Sequence, residues 1–406
     1  MSKRINEPQE DASGINDVLG IEADNKDIIS DLQPFDPSKI IVYSRDWTIE
    51  TMFSQISSGN IDLDPSFQRR NAWNDFRRSK LVESLVVGYP VPEIVLAEDP
   101  AKKKSFIVID GKQRLMTIAG FINPDNFRSW HKNKIKGLDV RKDINGLTFQ
   151  DLKNNPDYKE DFRQFMNADL RCTIISNFDK DDVLYDIFYR LNTGSVPLST
   201  QELRQVLNKG LFSDYLFKVT NKTLNLHKVL GLSGPDNRLR DVEIILRCLS
   251  FVLFGEGYTG NLKQFLDYSM KEINTNWDKY SSRVEEAFVD FEESTLRLSK
   301  VFDGYKFVGR KYTNGKIESR FNRALFEVQT FYFSLLDREI NGYDDRASDF
   351  HSRFIKLCDN NDFKKSIEST TKTHASYFTR FEYFREVVNQ AFQVDIRRNP
   401  FNNHVL

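Results

Sequence analysis

The chain has 406 residues, of which 39% are hydrophobic and 29% are charged, so it is long enough for two or three domains with apolar cores. Its net charge of −1 excludes the strongly basic composition by which many nucleic-acid-binding proteins are identified. The charge is unevenly distributed, because residues 1–36 contain nine acids and three bases and therefore leave a net +5 on the rest. We expect this acidic segment, which is poor in aromatic residues, to be a disordered tail.

The cysteines and the apolar runs indicate the cellular compartment. Cys172, Cys248 and Cys358 are far apart, and each lies in an apolar stretch, which is typical of buried thiols in a reducing compartment. The acidic N-terminus lacks the apolar core of a signal peptide, and the longest apolar run, interrupted by Arg247, is too short to cross a bilayer. We therefore expect a cytoplasmic protein with no membrane partner.

Residues 37–205 mix the patterns of strands and helices. Short β-branched or alternating apolar runs predict strands at 39–43, 61–64, 94–97, 106–109 and 170–174. Apolar residues at helical spacing predict helices at 49–58, 75–87, from 112 onward, at 149–166 and at 183–191. Ser199, followed three residues later by Glu202, predicts a capping box at the start of a further helix.

After about residue 205 the strand patterns cease. Helical spacing recurs at 239–254, 261–274, 282–302, 320–340, 348–357 and 377–392. The many phenylalanines in these stretches are typical of a helical core. The sequence thus predicts an α+β chain with an acidic tail (1–36), a mixed α/β domain (37–205) and a mostly α-helical domain (206–406).

The stretch from Ser105 to Phe121 is the strongest candidate for a site. It reads as a buried strand that turns through Asp110 and Gly111 into a helix beginning near Lys112. The first N–H groups of a helix, with the positive end of its dipole, bind anions. One carboxylate among such donors suits a phosphate ester with a metal ion or an activated water. The alternative is an ordinary turn in which Asp110 is the N-cap of the helix.

Two other patterns do not carry a site. Gly309 and Gly315-Lys316 resemble a phosphate-binding loop, but five residues separate the glycines where the motif has four, and Ile317 stands where Ser or Thr should bind magnesium. We expect a basic hairpin or loop there. The five histidines are scattered, and none has the spacing of a zinc site or of a His-Asn-His nuclease motif.

Three separated stretches resemble the N-terminal domain family of the GmrSD modification-dependent restriction systems, a distant relative of the ParB/sulfiredoxin fold. The resemblance covers about residues 45–205. The family's signature is Asp-Gly-Gln-Gln-Arg, and here its third position is Lys112. The stretches are Phe67-Gln68-Arg69-Arg70 with Trp73, then Pro90-Val91-Pro92 with Ile109-Asp110-Gly111-Lys112-Gln113-Arg114-Leu115, then Phe188-Tyr189-Arg190-Leu191-Asn192-Thr193-Gly194.

The resemblance implies a ParB-like nucleotide-binding domain that hydrolyses a nucleoside triphosphate, with Mg²⁺ as cofactor, in DNA restriction or antiviral defence. Longer family members carry a C-terminal His-Asn-His nuclease domain, which is not recognisable in this sequence, so DNA or a separate nuclease or defence protein is the expected partner. By position, the catalytic residues would be Asp110, Gln113 and Arg114, with Asp110 also the magnesium ligand. The nucleotide-binding residues would be Gln68, Arg69, Gly111, Lys112, Arg190 and Asn192.

Two alternatives remain open from the sequence. Glu93, Asp110 and Lys112 mimic the acid–acid–lysine pattern of metal-dependent restriction nucleases, in which two carboxylates hold magnesium. This alternative requires the two carboxylates to lie within a few ångströms of each other. The chain could instead be a non-catalytic ParB-like module that binds DNA or a partner protein through its mildly basic body.

Overall fold

The computed structural model describes residues 36–63, 73–100, 102–178, 180–191, 199–336, 343–369 and 371–401. The predicted acidic tail, apart from its last residue, and the predicted site residues Gln68, Arg69 and Asn192 lie outside these ranges. The described chain forms two compact units. The N-terminal unit comprises residues 36–207 with Asn237–Leu239, and the helical unit comprises Asn208–Asp236 and the residues from Arg240 onward.

The N-terminal unit is built on a four-stranded mixed sheet in the order β1-β4-β2-β3. The central pair, β2 and β4, is parallel, whereas β1 pairs with β4 and β3 pairs with β2 in antiparallel fashion. The strands are β1 (Ile41–Thr48), β2 (Ile94–Glu98), β3 (Phe106–Asp110) and β4 (Asp169–Ser176).

Helices cover both faces of this sheet. Successive side chains of β2 point to opposite faces, and those on each face are buried in a different core. Ile94 and Leu96 belong to a large core that α1–α5 complete, whereas Val95 and Ala97 belong to a smaller core with residues of α6 and α7. A strand buried on both faces reads as a continuous apolar run, which is how residues 94–97 appear in the sequence. The helices are α1 (Ile49–Ser57), α2 (Asp75–Val87), α3 (Lys112–Ile122), α4 (Phe149–Asn154), α5 (Lys159–Asn167), α6 (Asp181–Leu191) and α7 (Thr200–Leu207).

The helical unit contains the helices that follow residue 207 and one short hairpin. The hairpin joins β5 (Tyr312–Thr313) to β6 (Lys316–Ile317), so of the two predicted forms, a basic hairpin or a loop, the hairpin is observed. The helices are α8 (Leu211–Thr220), α9 (Asn225–Val229), α10 (Arg240–Phe254), α11 (Leu262–Thr275), α12 (Trp277–Val301), α13 (Arg323–Ser334), α14 (Tyr343–Cys358), α15 (Asn361–Glu368) and α16 (His374–Phe392). The predicted α+β class, with a helical second half, is confirmed.

Some predicted elements differ from the observed ones. The predicted strand at 39–43 is the strand β1, which begins at Ile41 because Pro37–Lys39 form a turn of 3₁₀ helix. The predicted helix at 149–166 is divided into α4 and α5 by a second 3₁₀ turn at Pro156–Tyr158, since proline cannot donate the hydrogen bond of a helix interior. In the predicted strand at 61–64, the described part contains only an isolated bridge from Ile61 to Phe106.

The three cysteine thiols are free and buried, as predicted. Burial raises the pKa of each thiol to about 12, so all three stay neutral and unreactive at physiological pH. Among the described residues, no helix combines the length and the apolar character needed to cross a membrane.

A buried network of charges lies in the helical unit around Glu327. One of its carboxylate oxygens pairs with Arg247, and the other accepts a hydrogen bond from the Tyr377 hydroxyl at 3.1 Å and lies 3.5 Å from Arg380 Nη2. The Arg380 side chain is fully buried, and its guanidinium carbon lies 3.5 Å from the centre of the Tyr377 ring. Glu327 therefore pairs with two buried cations, and one of them, Arg247, also has its Nη1 3.6 Å from Glu243 Oε1.

Candidate active site

The candidate site begins with an irregularity at the end of β3. Val108 opposes Leu96 and Asp110 opposes Val95, so Ile109 is an extra residue on β3. Such a β-bulge bends its strand and re-aims the side chains beside it. Asp110 is the last residue of β3, directly before the turn into α3.

Gly111 makes this turn possible in two ways. It is the N-cap of α3, and its φ of +94° lies in the left-handed region that residues with a Cβ avoid. A Cβ built on Gly111 would also lie 2.4 Å from Ile94 Cδ1. The turn therefore requires glycine both for its conformation and for its close approach to β2.

We expect Gly111→Ala to lower the free energy of unfolding of the N-terminal unit by about 2–4 kcal/mol, the sum of the left-handed strain and the overpacking against Ile94. Gly146→Ala is the matched control, because Gly146 also has a positive φ (+89°) but a Cβ added there would meet nothing within 4 Å. That control should lose only about 1–2 kcal/mol. Urea denaturation of both variants measures the difference, and equal losses would contradict a close contact at Gly111.

Arg114 fixes the position of the Asp110 carboxylate. Its Nη2 atom donates to Asp110 Oδ2 at 2.8 Å and to the backbone oxygen of Glu93 at 2.9 Å. Arg114 is almost fully buried, whereas the Asp110 side chain is 29% exposed. The other carboxylate oxygen, Oδ1, accepts no hydrogen bond from the described part of the chain, so Asp110 has one oxygen available to a ligand or a water.

The interpretation of Asp110 as an N-cap is wrong. The N-cap position is occupied by Gly111, which has no side chain to accept from the first N–H groups of α3. By contrast, the side chains of Thr48 and Asn74 cap α1 and α2. The first turn of α3 thus lacks the N-cap side-chain acceptor that these helices have, and such a turn is suited to binding an anion.

Lys112 is the position at which this chain departs from the family signature. Its side chain is buried, and its positive charge interacts with the Glu202 carboxylate. Burial raises the pKa of the Glu202 carboxyl, while the positive charges of Arg238 and Lys112 and a hydrogen bond from the Ser199 N–H lower it. Arg238 Nε lies 3.6 Å from Glu202 Oε2. Ser199 and Glu202 form the predicted capping box, with the Glu202 N–H donating to Ser199 Oγ at 3.1 Å.

We expect Lys112→Gln, which restores the signature residue, to destabilise the protein more at pH 8 than at pH 5, by about 1–2 kcal/mol. Because the folded-state pKa of Glu202 lies above its ordinary value of 4.5, the folded protein retains a proton that the unfolded chain loses. Stability therefore falls as the pH rises from the unfolded-state pKa through the folded-state pKa. Loss of the Lys112 charge raises the folded-state pKa further and so extends this fall to higher pH.

The measurement is the free energy of unfolding of wild type and Lys112→Gln at both pH values. In a Glu202→Gln background the carboxyl is absent, so the pH-dependent part of the Lys112→Gln effect should disappear. If that part persists without Glu202, the two residues are not coupled.

Gln113 is the remaining residue of the signature. Its side chain is partly buried, and its Oε1 atom accepts no hydrogen bond from any described residue. A buried acceptor without a donor costs free energy. A donor on a bound ligand or water would satisfy it.

The other predicted site residues are less well placed or not described. Arg190 lies at the end of α6, a helix that packs against β3, but its side chain is 74% exposed and donates to Asp186 Oδ2 at 2.9 Å. Gln68, Arg69 and Asn192 lie outside the described residues. Asp110 to Arg114 are consecutive in the chain, and the structure places Glu202 and Arg238, which the sequence did not identify as site residues, within reach of the charge of Lys112 or of each other. The only sequence signal for Glu202 was its capping-box spacing.

The nuclease alternative requires the carboxylates of Glu93 and Asp110 to hold one metal ion together. The two carboxylates share no hydrogen-bond partner among the described residues. Glu93 Oε2 accepts from Thr173 Oγ1 at 2.9 Å on β4, while Asp110 binds Arg114. Within the described parts of the chain, no three His, Cys, Asp or Glu side chains are grouped so as to hold a metal ion.

Comparison with known proteins finds a similarity for the region that contains this turn. Residues 49–208 match the family model described as GmrSD restriction endonuclease, N-terminal domain, which confirms the resemblance carried by the signature. Searches among curated proteins and among solved structures find no significant match to the chain. The match contains β2–β4 and α1–α7, with the turn from Asp110 to Arg114 near its middle. Residues 49–208 are therefore similar to the N-terminal domain of the GmrSD restriction endonuclease family.

Proposed function

We propose that the N-terminal unit binds a nucleoside triphosphate at the turn between β3 and α3 and hydrolyses it, in a DNA-restriction or antiviral-defence system. The observation that carries this proposal is the turn itself. The start of α3 lacks an N-cap side chain, and directly before it lies a carboxylate with one oxygen that accepts no hydrogen bond from the described residues. The family match supports the restriction or defence context.

Each residue of the turn has a distinct proposed role. The N–H groups of the first turn of α3, with the charge of Lys112, bind the phosphate oxygens, since phosphoryl transfer depends mainly on positioning and charge stabilisation. Asp110 either orients the attacking water through Oδ1 or uses this oxygen to hold magnesium, and Arg114 holds the carboxylate in place. Gln113 Oε1 accepts a hydrogen bond from the same water or from the ligand.

Magnesium is compatible with this set of side chains. Mg²⁺ is commonly held by one or two carboxylates together with phosphate oxygens and water, and Asp110 Oδ1 would provide the protein ligand. The ion would neutralise phosphate charge.

The remaining roles follow from the family resemblance. Arg190 is proposed to contact the terminal phosphate, which requires it to leave Asp186, and Asn192 to contact the base or ribose. Gln68 and Arg69 are proposed to face the signature. DNA, and a separate nuclease or other defence protein, are the proposed partners.

A hydrolysis screen tests the proposal. The full chain is incubated with each common nucleoside triphosphate and Mg²⁺, with and without modified DNA, and released phosphate is measured. We expect one or more triphosphates to be turned over. If no triphosphate is bound or hydrolysed under any of these conditions, the proposal is wrong.

A further inference from the structure

The helical unit contains a cavity that the proposed function does not use. It lies between α10, α12 and α13 and has a volume of about 150 Å³. Its inner walls are aromatic, with Phe251, Phe291, Phe331 and Phe381 all buried. The inner end is therefore an apolar, ring-lined space.

The polar groups at this inner end carry little net charge. Cys248 Sγ lies 3.7 Å from Thr330 Oγ1, and burial raises the pKa of the thiol to about 12, so it is neutral. Glu327 also lines the cavity, but its charge is offset by Arg247 and Arg380. An uncharged ring suits this end better than a charged group.

The mouth of the cavity carries charges of both signs. Arg283, Glu286 and Asp290 lie three and four residues apart along α12, a spacing that places them on one face of the helix. Arg398 lies at the mouth from the C-terminal segment, with its guanidinium carbon 5.5 Å from the centre of the Phe331 ring and its Nη2 donating to the Val252 carbonyl at 2.9 Å. Within the described residues, Arg283 and Glu286 form no ion pair and no hydrogen bond through their side chains.

The size of the cavity indicates which part of a ligand would lie inside it and which part would lie at its mouth. An apolar cavity of about 150 Å³ accommodates a single benzene ring, so a ligand whose ring fills it must keep its polar part at the mouth. There, carboxylates can accept from an ammonium group and guanidinium groups can donate to a carboxylate. A ligand with one ring and a zwitterionic head satisfies both ends.

We infer that this cavity binds an aromatic α-amino acid, with its ring between the phenylalanines and its ammonium and carboxylate groups at the charged mouth. Glu286 and Asp290 bind the ammonium, and Arg283 and Arg398 bind the carboxylate. This inference does not depend on nucleotide binding at the N-terminal unit.

Calorimetry on the full chain tests the inference with three ligands. L-Phenylalanine should bind with a Kd of about 10 μM to 1 mM, the range expected for a small ligand with few polar contacts. Phenylalanine amide lacks the carboxylate and represents the N-terminal residue of a peptide, whereas N-acetylphenylalanine lacks the ammonium and represents a C-terminal residue. Each should bind at least tenfold more weakly. No binding of L-phenylalanine, or equal binding of either analogue, would overturn the inference.

A matched pair of variants locates the site. Glu286→Gln removes one mouth carboxylate and should weaken L-phenylalanine binding about three- to tenfold. Glu285→Gln removes the same charge from the neighbouring exposed position of α12, which does not line the cavity, and should leave the Kd unchanged. Equal effects of the two substitutions would show that binding occurs elsewhere.

Discussion

Replacing Asp110 by asparagine is expected to lower the rate of phosphate release by about a hundredfold or more, while leaving the fold intact. Asparagine has the shape of aspartate, and its side-chain oxygen can still accept from Arg114 Nη2, which now lies 2.8 Å from Asp110 Oδ2. The change removes the negative charge through which Asp110 would orient water or hold magnesium. Loss of one such group typically costs a factor of about 10²–10⁴ in rate.

The measurement is kcat for the triphosphate that wild type turns over, together with the thermal unfolding midpoint of each variant. Asp125→Asn is the control, because Asp125 is exposed in the loop after α3 and has no hydrogen bond or ion pair within the described residues. That variant should retain the wild-type rate. Full activity of Asp110→Asn with an unchanged midpoint would exclude Asp110 as a catalytic residue.

Replacing Glu327 by glutamine is expected to destabilise the helical unit by about 3–5 kcal/mol, the usual cost of breaking a buried ion pair from one side. Glutamine fits the same space, so the loss does not come from packing. It comes from Arg247 and Arg380, which both lose their ion pair with Glu327, although Arg247 Nη1 keeps Glu243 Oε1 at 3.6 Å. Such a loss is a large fraction of the stability of an ordinary domain.

Urea denaturation followed by circular dichroism measures this loss. Because the chain forms two compact units, a single two-state transition need not apply, and only the transition of the helical unit should move. Glu256→Gln, at an exposed position after α10, should change stability by no more than about 0.5 kcal/mol. A similarly small effect of Glu327→Gln would show that the two arginines do not depend on Glu327.

The elements that could be predicted from the sequence are those with local signals. Thr48 and Asn74 cap their helices, and Gly88 ends α2 in the left-handed conformation. The short helix α9 was missed because it has only five residues and no usual N-cap residue precedes it. Its preceding residue, Leu224, is not a capping residue, and its N–H donates instead to His227 Nδ1, whose other ring nitrogen bonds Asp241.

For the candidate site, the sequence predicted the signature stretch but not its internal contacts. The spacing of Asp110 and Arg114 permits their ion pair, yet the second bond of Arg114, to the Glu93 backbone, depends on the pairing of β2 with β3. The proximity of Glu202 to Lys112 joins residues that are far apart in the chain and is a product of the tertiary fold. The extra residue on β3 likewise follows from strand register, which the apolar pattern alone does not define.

The position of β1 determines how the N-terminal unit can be produced as a separate fragment. The family match begins at residue 49, but β1 ends at Thr48 and pairs along its whole length with β4, from Ile41 opposite Ser176 to Thr48 opposite Asp169. A fragment cut at the start of the match would therefore lack this strand and expose the backbone of β4 as a new sheet edge. Exposed edges of this kind promote association between chains, so an expressed fragment should begin before Ile41.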